Sequence, residues 1–188
     1  SIEVFSWSNR AFRRLSPGKP HLVVTQRSNG VGTTSRYAQH DRGGRRVLMQ
    51  SNGDPLGTNA DGNTEIFLLD ARKGQWTQIT NTVGHENERP VTQNGRQLIF
   101  DSTADFVPGQ NADGNREIFF AKFKRGDWVF EQLTNTIGAD NRAASMAKNG
   151  RVIVFTSNAN LTGQNADGNR EVFLLDKRQG LTQITHTT

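Results

Sequence analysis

Oxygen-bearing side chains stand at alternate positions of a motif, Asn-Ala-Asp-Gly-Asn-x-Glu, that occurs three times in the chain. Proteins bind Ca²⁺ through six to eight oxygen atoms, and calcium loops use a glycine for a sharp turn. The motif therefore indicates a candidate Ca²⁺ loop in each copy. The candidate ligands are Asn59, Asp61, Asn63 and Glu65; Asn111, Asp113, Asn115 and Glu117; and Asn165, Asp167, Asn169 and Glu171.

The same motif is also typical of a hairpin turn that needs no metal. Only two side chains of each copy carry a charge, and Asp-Gly is a common turn dipeptide. In this interpretation, which we favour, the second Asn and the Glu of each motif hydrogen-bond to backbone amides. Ca²⁺ is thus the one cofactor for which the sequence offers candidate ligands, and the alternative is that the chain binds no cofactor.

A glutamate followed by Ile or Val and then Phe recurs in four copies, Glu3, Glu65, Glu117 and Glu171. A catalytic acid is usually unique in a chain, so this recurrence indicates a structural role between neighbouring repeats. We expect an arginine of the next repeat, such as Arg89 or Arg142, to pair with the glutamate.

The chain shows no motif of a catalytic centre. It has neither the Gly-x-Ser-x-Gly elbow of a nucleophilic serine nor the His-Glu-x-x-His helix of a zinc protease, and its four histidines do not recur at equivalent positions. The absence of cysteine excludes disulfides and thiolate metal sites. We therefore expect no catalytic residue and no enzyme activity in this chain.

Positive charge is concentrated in residues 1–50, which hold nine Lys and Arg residues against two acidic residues. The cluster that could hold an anionic partner comprises Arg10, Arg13, Arg14, Lys19, Arg45 and Arg46. Nucleic acid, an acidic protein surface and lipid headgroups all suit such a cluster, and Trp7 and Phe12 could stack on bases. We favour a solvated loop or one that faces a neighbouring subunit, so nucleic acid is the less expected partner.

The elements that position these residues are repeats. Successive copies of the motif begin at Asn59, Asn111 and Asn165, at offsets of 52 and 54 residues. A period of this length is typical of a propeller or solenoid array. We predict an all-β fold, a β-propeller of four-stranded antiparallel blades with about three and a half blades present. The array spans residues 1–188, with a half blade and basic loop at 1–32 and blades at 33–84, 85–138 and 139–188.

Turn and strand signals divide each repeat into four strands. Asn94-Gly95 and Asn149-Gly150 predict tight hairpins between first and second strands, since a type I′ turn needs positive φ at both central residues. The third strand, for example Glu65–Asp70, is apolar at both sets of alternating positions, so both of its faces must be covered. The stacked blades of a propeller meet that requirement.

Three segments, Asn94–Phe100, Asp113–Phe119 and Gln132–Asn135, resemble the TolB-type β-propeller repeat family. The similarity extends over nearly the whole chain and is weakest over residues 6–24. The resemblance implies about six four-stranded blades and a protein outside the bacterial cytoplasm, either periplasmic or secreted. It also implies a binding platform, or a propeller module attached to an enzyme.

We therefore expect a non-enzymatic protein-binding or scaffolding propeller that is part of a larger assembly or a longer chain. Three and a half blades fall below the usual minimum of four, so a protein partner, a second copy or further sequence would complete the ring. One alternative is the propeller module of a hydrolase or peptidase whose catalytic domain lies outside this chain. Another is a Ca²⁺-dependent propeller that binds carbohydrate or a surface. No apolar run approaches the length of a membrane span.

Overall fold

The computed structural model describes residues 5–8, 23–26 and 32–188, with the backbone alone in the two short segments. All of the described secondary structure is β-strand, and this part of the chain forms no helix of the length and apolarity needed to cross a membrane. Strands β1 (Phe5–Ser8) and β2 (Val23–Gln26) pair antiparallel, where the half blade is predicted.

Three four-stranded antiparallel sheets follow, and in each one the strands lie in chain order. The first blade contains β3 (Ser35–His40), β4 (Arg46–Ser51), β5 (Glu65–Asp70) and β6 (Gln75–Gln78). The second blade contains β7 (Asn87–Thr92), β8 (Gln97–Ser102), β9 (Glu117–Lys124) and β10 (Asp127–Gln132). The third blade contains β11 (Asn141–Met146), β12 (Val152–Ser157), β13 (Glu171–Asp176) and β14 (Gly180–Gln183). The predicted all-β fold of four-stranded blades is confirmed, and the sheets formed by the described residues do not close into a ring.

The hairpins between first and second strands form where they are predicted, but the prediction that their turns are of type I′ is wrong. Gly95 has a positive φ of 64°, whereas Asn94 does not adopt positive φ. The Asn94 side chain instead accepts hydrogen bonds at Oδ1 from the backbone amides of Arg96 (2.8 Å) and Gln97 (2.9 Å). An asparagine that bonds the backbone beyond it makes its own turn, so only the glycine needs the left-handed region.

Each blade has two chemically different ends. The hairpin end carries the two turns that join first to second and third to fourth strands. The opposite end, the loop end, carries the longer loops between second and third strands and the links to the next blade. The first two blades stack side by side with their hairpin ends together, because Arg46 Nη1 of the first blade donates to the Gly95 carbonyl of the second (2.8 Å).

Apolar side chains on both faces of the sheets hold successive blades together. The first blade buries Leu48, Ile66, Leu68 and Ile79 against Leu98, Phe100, Phe119 and Ala121 of the second. The second blade buries Ile99, Ile118 and Phe120 against Ala144, Met146, Ile153, Phe155 and Phe173 of the third. Burying one such side chain stabilises the folded chain by about 1.5–3 kcal/mol. Because the two largest clusters of buried side chains lie between blades, the stacking of blades forms the main apolar core. The expectation that both faces of the third strand are covered holds for the first two blades.

An arginine and an aspartate join the two turns at the hairpin end of a blade. In the third blade Arg151 contacts Asp176 through two hydrogen bonds, Nε to Oδ1 (2.8 Å) and Nη2 to Oδ2 (2.7 Å). Hydrogen bonds from the Arg151 guanidinium and the Arg178 backbone amide lower the pKa of Asp176 to about 2. Arg45 and Asp70 form the longer equivalent pair in the first blade, at 3.3 Å.

The Asp176 pair predicts a pH-dependent stability. Because the folded pKa of Asp176 lies below its ordinary value of 3.8, the ionised carboxylate stabilises the folded chain at neutral pH. That contribution is lost as the pH falls from about 4 towards 2. We expect Asp176→Asn to lower the melting temperature at neutral pH, with a difference from wild type that shrinks below about pH 4.

Thermal melts of wild type and variant across this pH range measure the difference. Asp127→Asn is the matched control, because Asp127 is exposed and forms no ion pair within residues 32–188. A melting-temperature difference for Asp176→Asn that stays constant down to pH 3 would contradict the assignment.

Candidate functional site

The three Asn-Ala-Asp-Gly-Asn loops lie side by side at the loop end. Each makes the sharp turn that its sequence predicts, with Gly62, Gly114 and Gly168 at φ of 67°, 65° and 66°. A Cβ at these positions would be strained whatever the space around it, so glycine is required there. The turn is closed by a backbone hydrogen bond, for example from Gly62 N to the Asn59 carbonyl at 3.2 Å.

The first asparagine of each motif holds its own loop closed. Asn59 Nδ2 donates to the carbonyls of Gly53 (3.2 Å) and Asn63 (3.0 Å), and the Asn59 side chain is buried. Asn111 makes the same two contacts with Ala104 and Asn115. Asn165 repeats the pattern in the third blade with Ala159 and Asn169. These side chains therefore act as donors within the loop.

The second asparagine bonds each loop to the segment that follows the fourth strand of its blade, and in the first two loops the aspartate does so as well. Asp61 Oδ2 accepts from the backbone amide of Gly84 at 2.9 Å, and Asp113 Oδ2 accepts from Gly138 at 3.0 Å. The expectation that the second asparagine bonds backbone amides is wrong, because Asn63 Nδ2 donates to the carbonyls of Thr82 and His85, both at 2.9 Å. Equivalent bonds run from Asn115 to Thr136 and Ala139, and from Asn169 to Thr187.

The glutamate that begins the third strand is buried in all three blades, and in the first two blades it also bonds to the following blade. Glu65 Oε1 accepts from the backbone amide (2.6 Å) and hydroxyl (2.7 Å) of Thr82. Glu65 Oε2 accepts from Asn87 Nδ2, on the first strand of the next blade, at 3.1 Å. Glu117 repeats the arrangement with Thr136 and Asn141. We call these two sets of three residues the glutamate latches.

The third blade has an incomplete version of the latch. Glu171 Oε1 accepts from the Thr187 amide and hydroxyl, both at 2.6 Å, and Oε2 accepts from the Thr185 hydroxyl. Hydrogen bonds from the hydroxyls of Thr185 and Thr187 lower the pKa of Glu171. Within residues 32–188, no asparagine of a neighbouring blade reaches this carboxylate.

The predicted arginine partners of these glutamates are wrong. Arg89 Nη1 pairs with Glu88 (2.8 Å) and Asp101 (2.7 Å) instead, and Arg142 pairs with Asp140. The latch carboxylates are fully buried and already surrounded by amide and hydroxyl donors. An arginine side chain would have to displace those donors and lose its own hydration, whereas Arg89 and Arg142 keep partial contact with solvent.

A partly buried ion network beside the second latch is the feature that sequence reasoning missed. Arg116 Nη1 contacts Asp101 Oδ2 (2.8 Å) and Glu88 Oε2 (2.9 Å), so two arginines and two acids share one site. Arg89 reaches it from a β-bulge, where its φ is 49°. Burial raises the pKa of Asp101, against the opposing effect of Arg89 and Arg116. The available signal was a charged residue at the end of the apolar run Leu98–Phe100.

The donor set of the loops suits an internally bonded turn better than a Ca²⁺ site. Each latch glutamate, the strongest potential ligand, is already occupied by hydrogen-bond donors, and the described residues include no group of three or more His, Cys, Asp or Glu side chains suited to a metal. Several amide oxygens are buried without a donor: Asn59 Oδ1, Asn63 Oδ1, Asn111 Oδ1, Asn115 Oδ1 and Asn169 Oδ1. A Ca²⁺ ion would need charged ligands beside these amides, but the loop carboxylates Asp61 and Asp113 accept hydrogen bonds from the Gly84 and Gly138 amides. Water molecules would satisfy the amide oxygens equally.

The predicted basic cluster is only partly described. Arg10, Arg13, Arg14 and Lys19 lie outside the described residues, as does Glu3 of the repeated glutamates. Arg45 and Arg46 lie at the hairpin end of the first blade, away from the loops. The structure therefore brings together the candidate metal residues within each loop and separates them from Arg45 and Arg46.

Comparison with known proteins identifies the fold through structures alone. No family profile matches the chain, and no curated protein sequence shows significant similarity to it. Two solved structures with the same fold are TolB from Acinetobacter baumannii (TM-score 0.57, 21% identity) and a putative TolB from Agrobacterium tumefaciens (TM-score 0.55, 16% identity). A third structure with the same fold is that of a prolyl endopeptidase (TM-score 0.55, 11% identity).

The chain matches only part of each of these structures. It is covered to 88%, 94% and 90% of its own length, but spans 36%, 58% and 25% of the respective proteins. At these identities the similarity shows the arrangement of blades alone.

The loop geometry predicts that Ca²⁺ does not stabilise this chain. We expect about 5 mM Ca²⁺, above the dissociation constants of weak extracellular calcium modules, to shift the melting temperature by less than about 1 °C. Isothermal titration calorimetry and thermal melts measure the effect, with Mg²⁺ as the control ion. A rise with Ca²⁺ alone that disappears in Asp61→Ala and Asp113→Ala would contradict the prediction.

Proposed function

Because this chain has a TolB-like β-propeller fold, we propose that it is a non-enzymatic protein-binding module that works as part of a larger propeller or assembly. The observation that carries the proposal is an uncovered apolar face on the third blade. A location in the periplasm or outside the cell is part of the same proposal and rests on the repeat resemblance. Subcellular fractionation of the source organism tests that location.

The uncovered face is equivalent to faces that are buried in the other blades. Val154 is 37% exposed, whereas Ile99 at the same position of the second blade is fully buried. Ile184 is 51% exposed, whereas the equivalent Ile79 is 6% exposed. Val172 and Leu174 are partly exposed between them. Hydrophobic side chains exposed together over one sheet face favour an interface.

The chemistry of the two buried interfaces indicates what this face accepts. In both, aliphatic side chains that are equivalent to Val154, namely Leu48 and Ile99, meet aromatic and smaller apolar side chains of the following blade. The incomplete latch at Glu171 adds a polar requirement, since Asn87 and Asn141 supply amide donors to the other glutamates. A further blade fits both requirements, whether it comes from a longer chain, a partner or a second copy.

A second candidate function is the propeller module of a hydrolase or peptidase. The structural likeness to a prolyl endopeptidase, of which this chain matches 25%, favours it over other enzyme classes. In that case the catalytic groups belong to another domain, because the recurring carboxylates of this chain are bound by structural donors. Sequence of a catalytic domain in the same polypeptide would favour this candidate.

The test of the proposal is the mass in solution, measured by light scattering after gel filtration. We expect assembly to at least twice the 20.9 kDa of the chain, or co-isolation with another protein. Ile184→Lys should reduce assembly at least about tenfold, because it places a charge in an apolar interface. Val129→Lys is the matched control, since Val129 is 52% exposed on the outer strand of the second blade.

Two results would contradict the proposal. One is a wild-type monomer of 20.9 kDa that unfolds cooperatively with no partner. The other is an assembly that Val129→Lys weakens as much as Ile184→Lys does.

A further inference from the structure

Lysine and arginine gather at the hairpin end of the blades. This end comprises residues 41–46, 70–75, 93–97, 122–127, 147–151 and 176–180. Within residues 32–188, these segments hold 13 of the 18 Lys and Arg residues but only four of the 17 Asp and Glu residues. The charge is spread over all three blades, so it does not depend on the N-terminal basic cluster.

The loop end has the opposite charge. The other five cations of residues 32–188 lie there, together with 12 of the 17 acidic residues, while Glu131 lies between the two ends. The sequence hides this division, because acidic loops and basic turns alternate along the chain. Folding sorts them into a cationic end and an anionic end.

The cations of the two ends also differ in their partners. At the loop end, four of the five arginines form ion pairs with carboxylates. At the hairpin end only Arg45, Arg151 and Lys177 do so, and ten of the 13 form no ion pair with any residue in 32–188. Nine of those ten are exposed. The hairpin end therefore presents positive charge that the described chain does not neutralise.

The arrangement of this charge is two-dimensional. In each sheet one turn joins the first two strands and the other turn joins the last two, so the turns occupy both halves of every blade. The hairpin ends of the first two blades are in direct contact, because Arg46 Nη1 donates to the Gly95 carbonyl (2.8 Å). A set of cations that is spread over three blades matches an extended anionic surface better than a single line of phosphates.

Aromatic side chains give no support for single-stranded nucleic acid at this end. Base stacking needs exposed aromatic rings, but Phe123 and Trp128 are partly buried and pack against each other at 5.5 Å between ring centroids. Among the described residues, no large apolar side chain is exposed within the hairpin-end segments. Binding there would depend on charge rather than on insertion, and would weaken with salt.

We propose that the hairpin end binds the surface of a membrane rich in anionic phospholipid, with the acidic loop end facing away from it. Arginine guanidinium groups donate to phosphate oxygens in a fixed planar geometry, and eight of the 13 cations are arginines. Each cation near such a surface raises the partition coefficient by about fivefold. Repulsion of the loop end fixes the orientation of the bound molecule.

The experiment measures sedimentation with vesicles of phosphatidylcholine, with and without phosphatidylglycerol, at low salt. Arg72→Gln, Lys124→Gln and Arg178→Gln together remove three exposed cations, one from each blade. We expect this variant to lower the partition coefficient by about 100-fold. The matched control combines Ala60→Glu, Ala112→Glu and Ala166→Glu, which changes the net charge equally at exposed positions of the loop end. It should lower the coefficient by less than about threefold, because these positions face away from the lipid.

A second variant, with Lys73, Arg96 and Lys148 changed to glutamine, repeats the test if the first set unfolds; melting temperatures establish which variants are folded. The proposal is overturned if wild type fails to bind phosphatidylglycerol vesicles, or if the loop-end control loses as much binding as the hairpin-end variants. Equal binding to pure phosphatidylcholine also overturns it. Retention of duplex DNA without vesicle binding would assign the surface to nucleic acid instead.

Discussion

The buried glutamate at the start of each third strand is the constraint on which the fold depends. A carboxylate without solvent contact is tolerated only where donors surround it, and Glu65 and Glu117 obtain those donors from two blades. The same contact therefore closes the loop of one blade and positions the first strand of the next. The apolar faces then stack in register behind it, so polar and hydrophobic interactions specify the same arrangement.

The two ends of the propeller therefore differ in how strongly their amino-acid sequence is constrained. At the loop end, the asparagines and glutamates of the repeated motif, and the aspartates of its first two copies, form hydrogen bonds within and between blades, which explains their repetition. At the hairpin end, turns need only glycine or asparagine at their centre, so the flanking residues can vary. Charged side chains such as Arg72 and Lys124 occupy those positions without disturbing the sheets.

The sequence predicted the fold because strand periodicity and turn residues repeat with the blade. It also predicted that the recurring glutamate joins repeats, but the partner was wrong. Thr82 and Thr136 lie 17 and 19 residues after their glutamates, because the hairpin of the second blade is two residues longer. No single spacing from the glutamate therefore identifies these threonine donors in the sequence. The charge division was missed for a related reason, since a count along the chain averages over turns and loops that folding separates.

The most direct test of this account is a double-mutant cycle between Glu117 and Asn141, measured by denaturant unfolding. Glu117→Gln removes the buried carboxylate, and Asn141→Ala removes its donor from the next blade. We expect Glu117→Gln to cost about 2–4 kcal/mol, against less than about 0.5 kcal/mol for the exposed Glu86→Gln control. We expect a coupling energy of about 1 kcal/mol or more between the two residues. Additive effects, with coupling below about 0.3 kcal/mol, would contradict the claim that the glutamate latch joins the blades.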